Sequence, residues 1–176
     1  MKKFKIIFVL AFVAALSGGI LAYVESVTTP IIEANAAAEE EEVIKGFFPE
    51  LATTEKEEVT SEDSLVDYGI TVLDGDNNPI GYVYSATGVN GYGTITAMVG
   101  IDMESNIIGI EYPQFGQTPG FGDKVQTPEY LAQFDKLPTN AVEIDGAAGA
   151  TFSSNLVNDL VNAMADYHNE TVGGGQ

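Results

Sequence analysis

Cysteine is missing from this sequence, so the chain can form no disulfide, thiolate metal site, iron–sulfur cluster or thioether-linked haem. Histidine occurs once, at His168, which argues against a zinc centre or a Ser-His-Asp arrangement. Arginine and tryptophan are absent, and 26 acidic residues outweigh the basic ones to give a formal net charge of −19. That sign opposes nucleic-acid binding. No residue set suggests catalysis by the chain itself, and none suggests a metal site.

What charge there is lies unevenly. Lys2, Lys3 and Lys5 precede the first acidic residue, Glu25, and only four lysines follow it. Beyond that point the chain carries a net charge of about −22, so a bound phosphate would need directed backbone donors. Ile6 to Val24 is an uncharged, mostly apolar run, close to the length that spans the hydrocarbon core as a helix. The lysines before it predict a cytoplasmic N-terminus, with the rest of the chain outside. Ser17-Gly18-Gly19 either admits a second transmembrane helix or merely lowers the hydrophobicity of the span. Ala34-Asn35-Ala36 has the form of a signal-peptide cleavage site, but it lies past Pro30, well beyond the apolar run. A retained anchor is the better reading.

The chain length allows one domain plus an appendage. Residues 1–5 are read as a cytoplasmic N-terminus and 6–24 as the anchor. Residues 25–64 read as an extracytoplasmic helix and acidic linker, 65–172 as the folded domain and 173–176 as a flexible tail. Thr28 or Thr29 can cap a helix with Pro30 in its first turn, running over Ile31–Phe48. Its Glu39–Glu42 run reads as a solvated face, and Phe47, Phe48 and Leu51 as a docking patch. Thr53 to Asp63 reads as a loop. Leu65–Leu73, Ile80–Ala86, Thr94–Ile101 and Ile107–Tyr112 read as strands of an antiparallel β-meander. Asp74–Pro79 starts like a calcium loop, but Pro79 stands where that loop needs glycine, so it reads as a turn. Gly88–Gly93 reads as a bend. Thr127-Pro128-Glu129 opens a short helix to about Phe134, and Ala141–Ile144 reads as a last strand. Ser153 or Ser154 would cap a final helix, Asn155 to about His168, with Leu156, Leu160, Met164 and Tyr167 near its core face. His168 reads as a surface or cap residue at that helix's end. The fold class expected is α+β: an antiparallel meander with flanking helices, preceded by one transmembrane helix.

The stretch with most chemical content is Asp145-Gly146-Ala147-Ala148-Gly149-Ala150-Thr151-Phe152-Ser153-Ser154. Small residues surround the Thr151 hydroxyl, and a helix N-terminus with unpaired N–H groups follows. That combination suits a phosphate held at or bonded to Thr151, while a tightly packed strand–turn–helix corner would use the same residues. Thr118-Pro119-Gly120-Phe121-Gly122 is a second small-residue loop.

Asp145 to Thr151 resembles the D-x-x-S/T-G-A-T signature of the FMN-binding domain family. Thr118–Gly122 is similar to that family's T-P-G-L-G loop, and Gly91-Tyr92-Gly93 with Asp102 to its central hairpin. The anchor running into Thr29-Pro30-Ile31-Ile32 looks like the family's membrane-bound members, so the resemblance covers almost the whole chain. It implies FMN joined through its phosphate to Thr151 by a flavin transferase that uses FAD. Asp145, Gly149, Ala150, Ser153, Ser154, Thr118, Gly120, Phe121 and Gly122 would surround the cofactor. Tyr92, Tyr112, Phe115 and Phe121 would neighbour its ring. Asp145 would position the acceptor hydroxyl or the transferase's metal, or simply form a turn. Two positions depart from the pattern: Ala148 replaces a hydroxyl residue, and Gln117 stands where a glutamate often precedes the loop. The resemblance implies an electron-relay subunit of a membrane-bound, ion-pumping redox complex, with other membrane subunits as partners. A stand-alone anchored flavoprotein and a flavin-free binding domain are the alternatives.

Overall fold

The structure, a computed structural model, describes residues 2–59 and 64–173. Helix α1 (Lys2–Phe47) is the longest element, and its apolar part has a mean hydropathy of 2.4 over the most apolar 18-residue window. It is long and apolar enough to cross a membrane. The expected helix break at Thr28-Thr29-Pro30 does not occur. Pro30 lies inside α1, and Thr28 Oγ1 donates back to the Val24 carbonyl at 2.9 Å instead of capping. The flanking alanines and glutamates are strong helix formers and carry the helix past one missing N–H. Close packing divides the chain into two units, Met1–Glu40 and Glu41–Gln176.

Among the described residues of the second unit, six antiparallel strands lie side by side in chain order. They are β1 (Thr53–Glu58), β2 (Val66–Leu73), β3 (Pro79–Asn90), β4 (Gly93–Ile101), β5 (Asn106–Phe115) and β6 (Leu137–Pro138). With the flanking helices this is the expected α+β meander. Strand β1 replaces the first part of the expected loop; residues 60–63 lie outside the described residues, as do 174–176 of the expected tail. All six β1 residues are exposed, so the strand buries no face and carries no hydrophobic period. Its ladder to β2 runs from Thr53↔Leu73 to Glu58↔Tyr68, and its charges suit an edge strand. Ala141–Ile144 forms no strand. Leu137–Pro138 takes the edge of β5 instead, and Val142 is buried without joining a ladder.

Two hairpins use one device. Asp74 Oδ1 accepts the N–H groups of Asp76 and Asn78, and Asp102 Oδ1 accepts those of Glu104 and Asn106. The fourth residue of each turn, Asn77 and Ser105, has φ of 61°. The Asp74 oxygens are thus occupied by a turn, as the sequence indicates.

The sheet buries both faces. On one, Ile44 and Phe48 pack with Ile70, Val72, Val83 and Met98, joined by Phe47 and Leu51. Phe47 and Phe48 rest on glycines: a Cβ at Gly81 would lie 2.3 Å from Phe48, and one at Gly100 would lie 2.8 Å from Phe47. On the other face lies α3 (Thr151–Thr171), with Val157, Leu160, Val161, Met164 and Ala165 in the main core. Each such buried aliphatic side chain contributes about 1.5–3 kcal/mol. The buried stripe also takes in His168, only 1% exposed, which is therefore not a surface residue. Its Nδ1 lies 3.1 Å from the Tyr84 hydroxyl and its Nε2 3.1 Å from the Ser105 hydroxyl. Burial lowers its pKa, while nearby Asp102 acts the other way.

Candidate functional site

The docking of α3 on the sheet leaves its first turn at one end of the sheet, where the small-residue stretch ends. Thr151 is the first helical residue, and its side chain is exposed. The expected serine cap is not formed: Ala150 is the N-cap, and no side chain caps the helix. Ser153 and Ser154 are buried inside the first turn. Ser154 Oγ accepts the Ala147 N–H at 2.9 Å, and Ser153 Oγ donates to Gln117 Oε1 at 2.7 Å. The leading N–H groups of such a helix have no partner four residues back and point toward any group beside Thr151.

The approach to Thr151 is held by backbone shape and one cation. Gly149 has φ of 80°, a conformation costly for residues with a Cβ. Lys124 Nζ donates to the Ala148 carbonyl at 2.6 Å and would lie 2.7 Å from a Cβ placed on Gly149. Asp145 is fixed by its backbone: its N–H donates to Gln133 Oε1 at 2.9 Å, and its carbonyl accepts from Gln133 Nε2 at 3.3 Å. Asp145 also lines a cleft of about 530 Å³ with Lys124, Thr127, Gln133 and Gly146–Ala148. Tyr130 lines the same cleft, and burial raises its pKa.

The Thr118–Gly122 loop reaches the other side of the helix start. Thr118 donates to the Tyr92 carbonyl from its N–H at 2.9 Å and its hydroxyl at 3.1 Å. This brings Phe121 onto Tyr92, with ring centroids 5.6 Å apart and planes 14° from parallel. Phe152 meets Tyr92 edge-on at 5.9 Å, and its carbonyl accepts from Asn90 Nδ2 at 3.2 Å. Phe121 and Phe152 remain 53% and 65% exposed, so the residue after Thr151 and the tip of the loop offer uncovered aromatic faces. Gly122 is needed here, since a Cβ on it would lie 2.9 Å from both Gln117 Oε1 and Ser153 Oγ.

Of the expected ring neighbours, Tyr92 and Phe121 come together, whereas Tyr112 and Phe115 pair with each other at 5.6 Å. The sequence reading missed Lys124, Asn90, Phe152 and Gln133. Lys124 had a signal: it is one of four lysines after Glu25 and stands two residues past the Thr118–Gly122 loop.

Gln117 Nε2 is buried and has no hydrogen-bond partner among the described residues. Leaving such a donor unmet costs about 1–3 kcal/mol, and it calls for a missing acceptor.

An exposed hydroxyl at an uncapped helix start, beside a lysine and uncovered aromatic faces, defines a domain suited to a phosphorylated aromatic cofactor. Residues 91–166 match the model of the FMN-binding domain family. The chain is similar to the G subunit of the ion-translocating oxidoreductase complex of Methanosarcina acetivorans, at 29% identity over 93% of each chain. The corresponding protein of Cronobacter sakazakii is 30% identical over 67% of this chain, a match that spans 60% of that protein. The crystal structure of Shewanella oneidensis NqrC aligns with a TM-score of 0.47 and 17% identity over 66% of each chain. The residues present fit FMN: the lysine and helix N–H groups would suit a phosphate, the aromatic faces would suit a ring, and the buried Gln117 donor lacks an acceptor among the described residues.

Proposed function

We propose that this chain is the membrane-anchored electron-relay subunit of a redox-driven ion-translocating complex, carrying FMN bonded through its phosphate to Thr151 outside the membrane. The observation that carries this reading is Thr151 itself, an exposed hydroxyl on the first residue of an uncapped helix. The similarity to the G subunits of ion-translocating oxidoreductase complexes supports the role, and the long apolar helix α1 supports the anchor. The lysines before that helix favour an inside N-terminus.

FMN supplies the one- and two-electron chemistry. The chain's own residues do the rest. Thr151 would supply the hydroxyl that a flavin transferase joins to the phosphate of FMN, with FAD as the donor and AMP released. The α3 N–H groups and Lys124 hold the phosphate charge in a domain that is otherwise strongly acidic. Asp145, Gly149, Ala150 and Ser154 shape the turn that presents Thr151, while Thr118, Gly120, Phe121 and Gly122 form the loop beside it. Tyr92, Phe121 and Phe152 give the ring an apolar seat. A covalent tether keeps the cofactor from being lost to the medium.

Intact mass of the chain made with and without a flavin transferase tests the attachment. An FMN-sized increment only with the transferase is expected, and its absence defeats the reading. Purification from native membranes tests the assembly: co-purifying polytopic subunits are expected, and isolation of the flavinylated chain alone favours a stand-alone carrier.

A further inference from the structure

We infer that Gln117 is a ligand of the flavin, its Nε2 donating a hydrogen bond to an acceptor atom of the isoalloxazine ring. This rests on the FMN reading above. Four buried side-chain polar atoms lack partners among the described residues: three are hydroxyl oxygens, and the fourth is Gln117 Nε2. A hydroxyl rotates to find a partner, whereas an amide held by its oxygen has N–H bonds of fixed direction. Gln117 is held in that way, since Ser153 Oγ donates to its Oε1 at 2.7 Å from the first turn of α3. Gln117 is 7% exposed and Ser153 fully buried, so the pair is part of the frame beneath the site.

Position favours the ring over the phosphate as the acceptor. A Cβ on Gly93, the residue after Tyr92, would lie 3.4 Å from Gln117 Cα. One on Gly122, the residue after Phe121, would lie 2.7 Å from Gln117 Cβ. Gln117 thus packs against the residues that follow both members of the stacked Tyr92–Phe121 pair. Lys124, the donor suited to the phosphate, stands instead over Gly149. A donor aimed at a ring that gains electron density on reduction favours the reduced form. Gln117 is therefore a tuning residue as well as a ligand.

The test uses the full-length flavinylated chain in detergent. Gln117→Glu keeps the size and the acceptor for Ser153, removes the donor and adds a negative charge. Spectroelectrochemical titration should show the oxidised form favoured about tenfold more, a fall of about 30 mV for a two-electron couple. A flavinylated variant with an unmoved potential overturns the inference and leaves the FMN reading standing. Wild type that carries no flavin overturns both. Should the variant not fold, nitrogen-15 spectra of the wild type decide: the Gln117 side-chain amide resonances move on reduction, and resonances that stay fixed overturn the inference.

Discussion

The two ends of α3 use polar residues in opposite ways. At the C-terminal end each ring nitrogen of His168 has a partner, Thr139 and Asn169 bond to each other at 2.7 Å, and the Thr171 hydroxyl donates to the Tyr167 carbonyl at 2.7 Å. At the N-terminal end no side chain caps the helix, Thr151 and Phe152 face solvent, and Gln117 keeps an unmet donor. One end closes its hydrogen bonds within the fold, and the other leaves them open. Open donors cost stability, so their concentration at one end marks where a ligand belongs.

Thr151→Ala separates the ends most sharply. The hydroxyl is exposed, so unfolding free energy should change by no more than about 0.5 kcal/mol. The FMN-sized mass increment should vanish completely. A variant that still gains it would move the attachment point elsewhere and remove the functional meaning of the open end.

His168→Ala is the mirror experiment. It deletes a buried ring and strands the Tyr84 and Ser105 hydroxyls, at a cost of about 2–4 kcal/mol in chemical denaturation. The folded fraction should still accept FMN, because no residue of the attachment turn changes. A stable variant that refuses flavin would show that the two ends are not independent.

Much of this contrast was legible in the sequence, and the reasons for the gaps are physical. The hairpin turns were readable because Asp74 and Asp102 act locally on residues two and four ahead. Thr127 likewise caps its own helix and bonds to the Tyr130 N–H. Strand β1 was not readable, because an edge strand exposed on both faces has no hydrophobic alternation to display. Ser153, Ser154 and His168 were misplaced for one shared reason. Polar residues near helix ends usually meet water or the helix's own backbone, whereas these three are buried by partners from outside the helix. Gln117 lies 36 residues from Ser153, and Tyr84 lies 84 residues from His168. Lys124 was missed because only the folded loop brings it to Ala148.

Gly149→Ala has a smaller effect, confined to the open end. The Lys124 side chain can swing away from the added methyl, but the left-handed backbone remains. The strain costs about 1–2 kcal/mol, measurable as a lower midpoint in urea. Moving Lys124 from the Ala148 carbonyl should also slow flavinylation. A variant flavinylated at the wild-type rate would show that the shape of this turn does not govern attachment.

The closed end should also carry a pH dependence of its own. Burial holds the folded-state pKa of His168 below its ordinary value near 6.5, outweighing the opposing pull of Asp102. The groups around the ring are the Tyr84 and Ser105 hydroxyls and the edge-on Tyr82 ring. Because the unfolded chain takes up the proton more readily, this contribution to stability is fully present above about pH 6.5. It is lost as pH falls through the folded-state value. Carboxylates titrate lower still, so the interval just below pH 6.5 isolates the histidine. Urea midpoints for the wild type should fall across that interval, and those for His168→Gln, which cannot titrate there, should stay level. Parallel curves for the two proteins would mean that His168 is equally easy to protonate folded and unfolded. In that case burial at the closed end would come without a charge penalty.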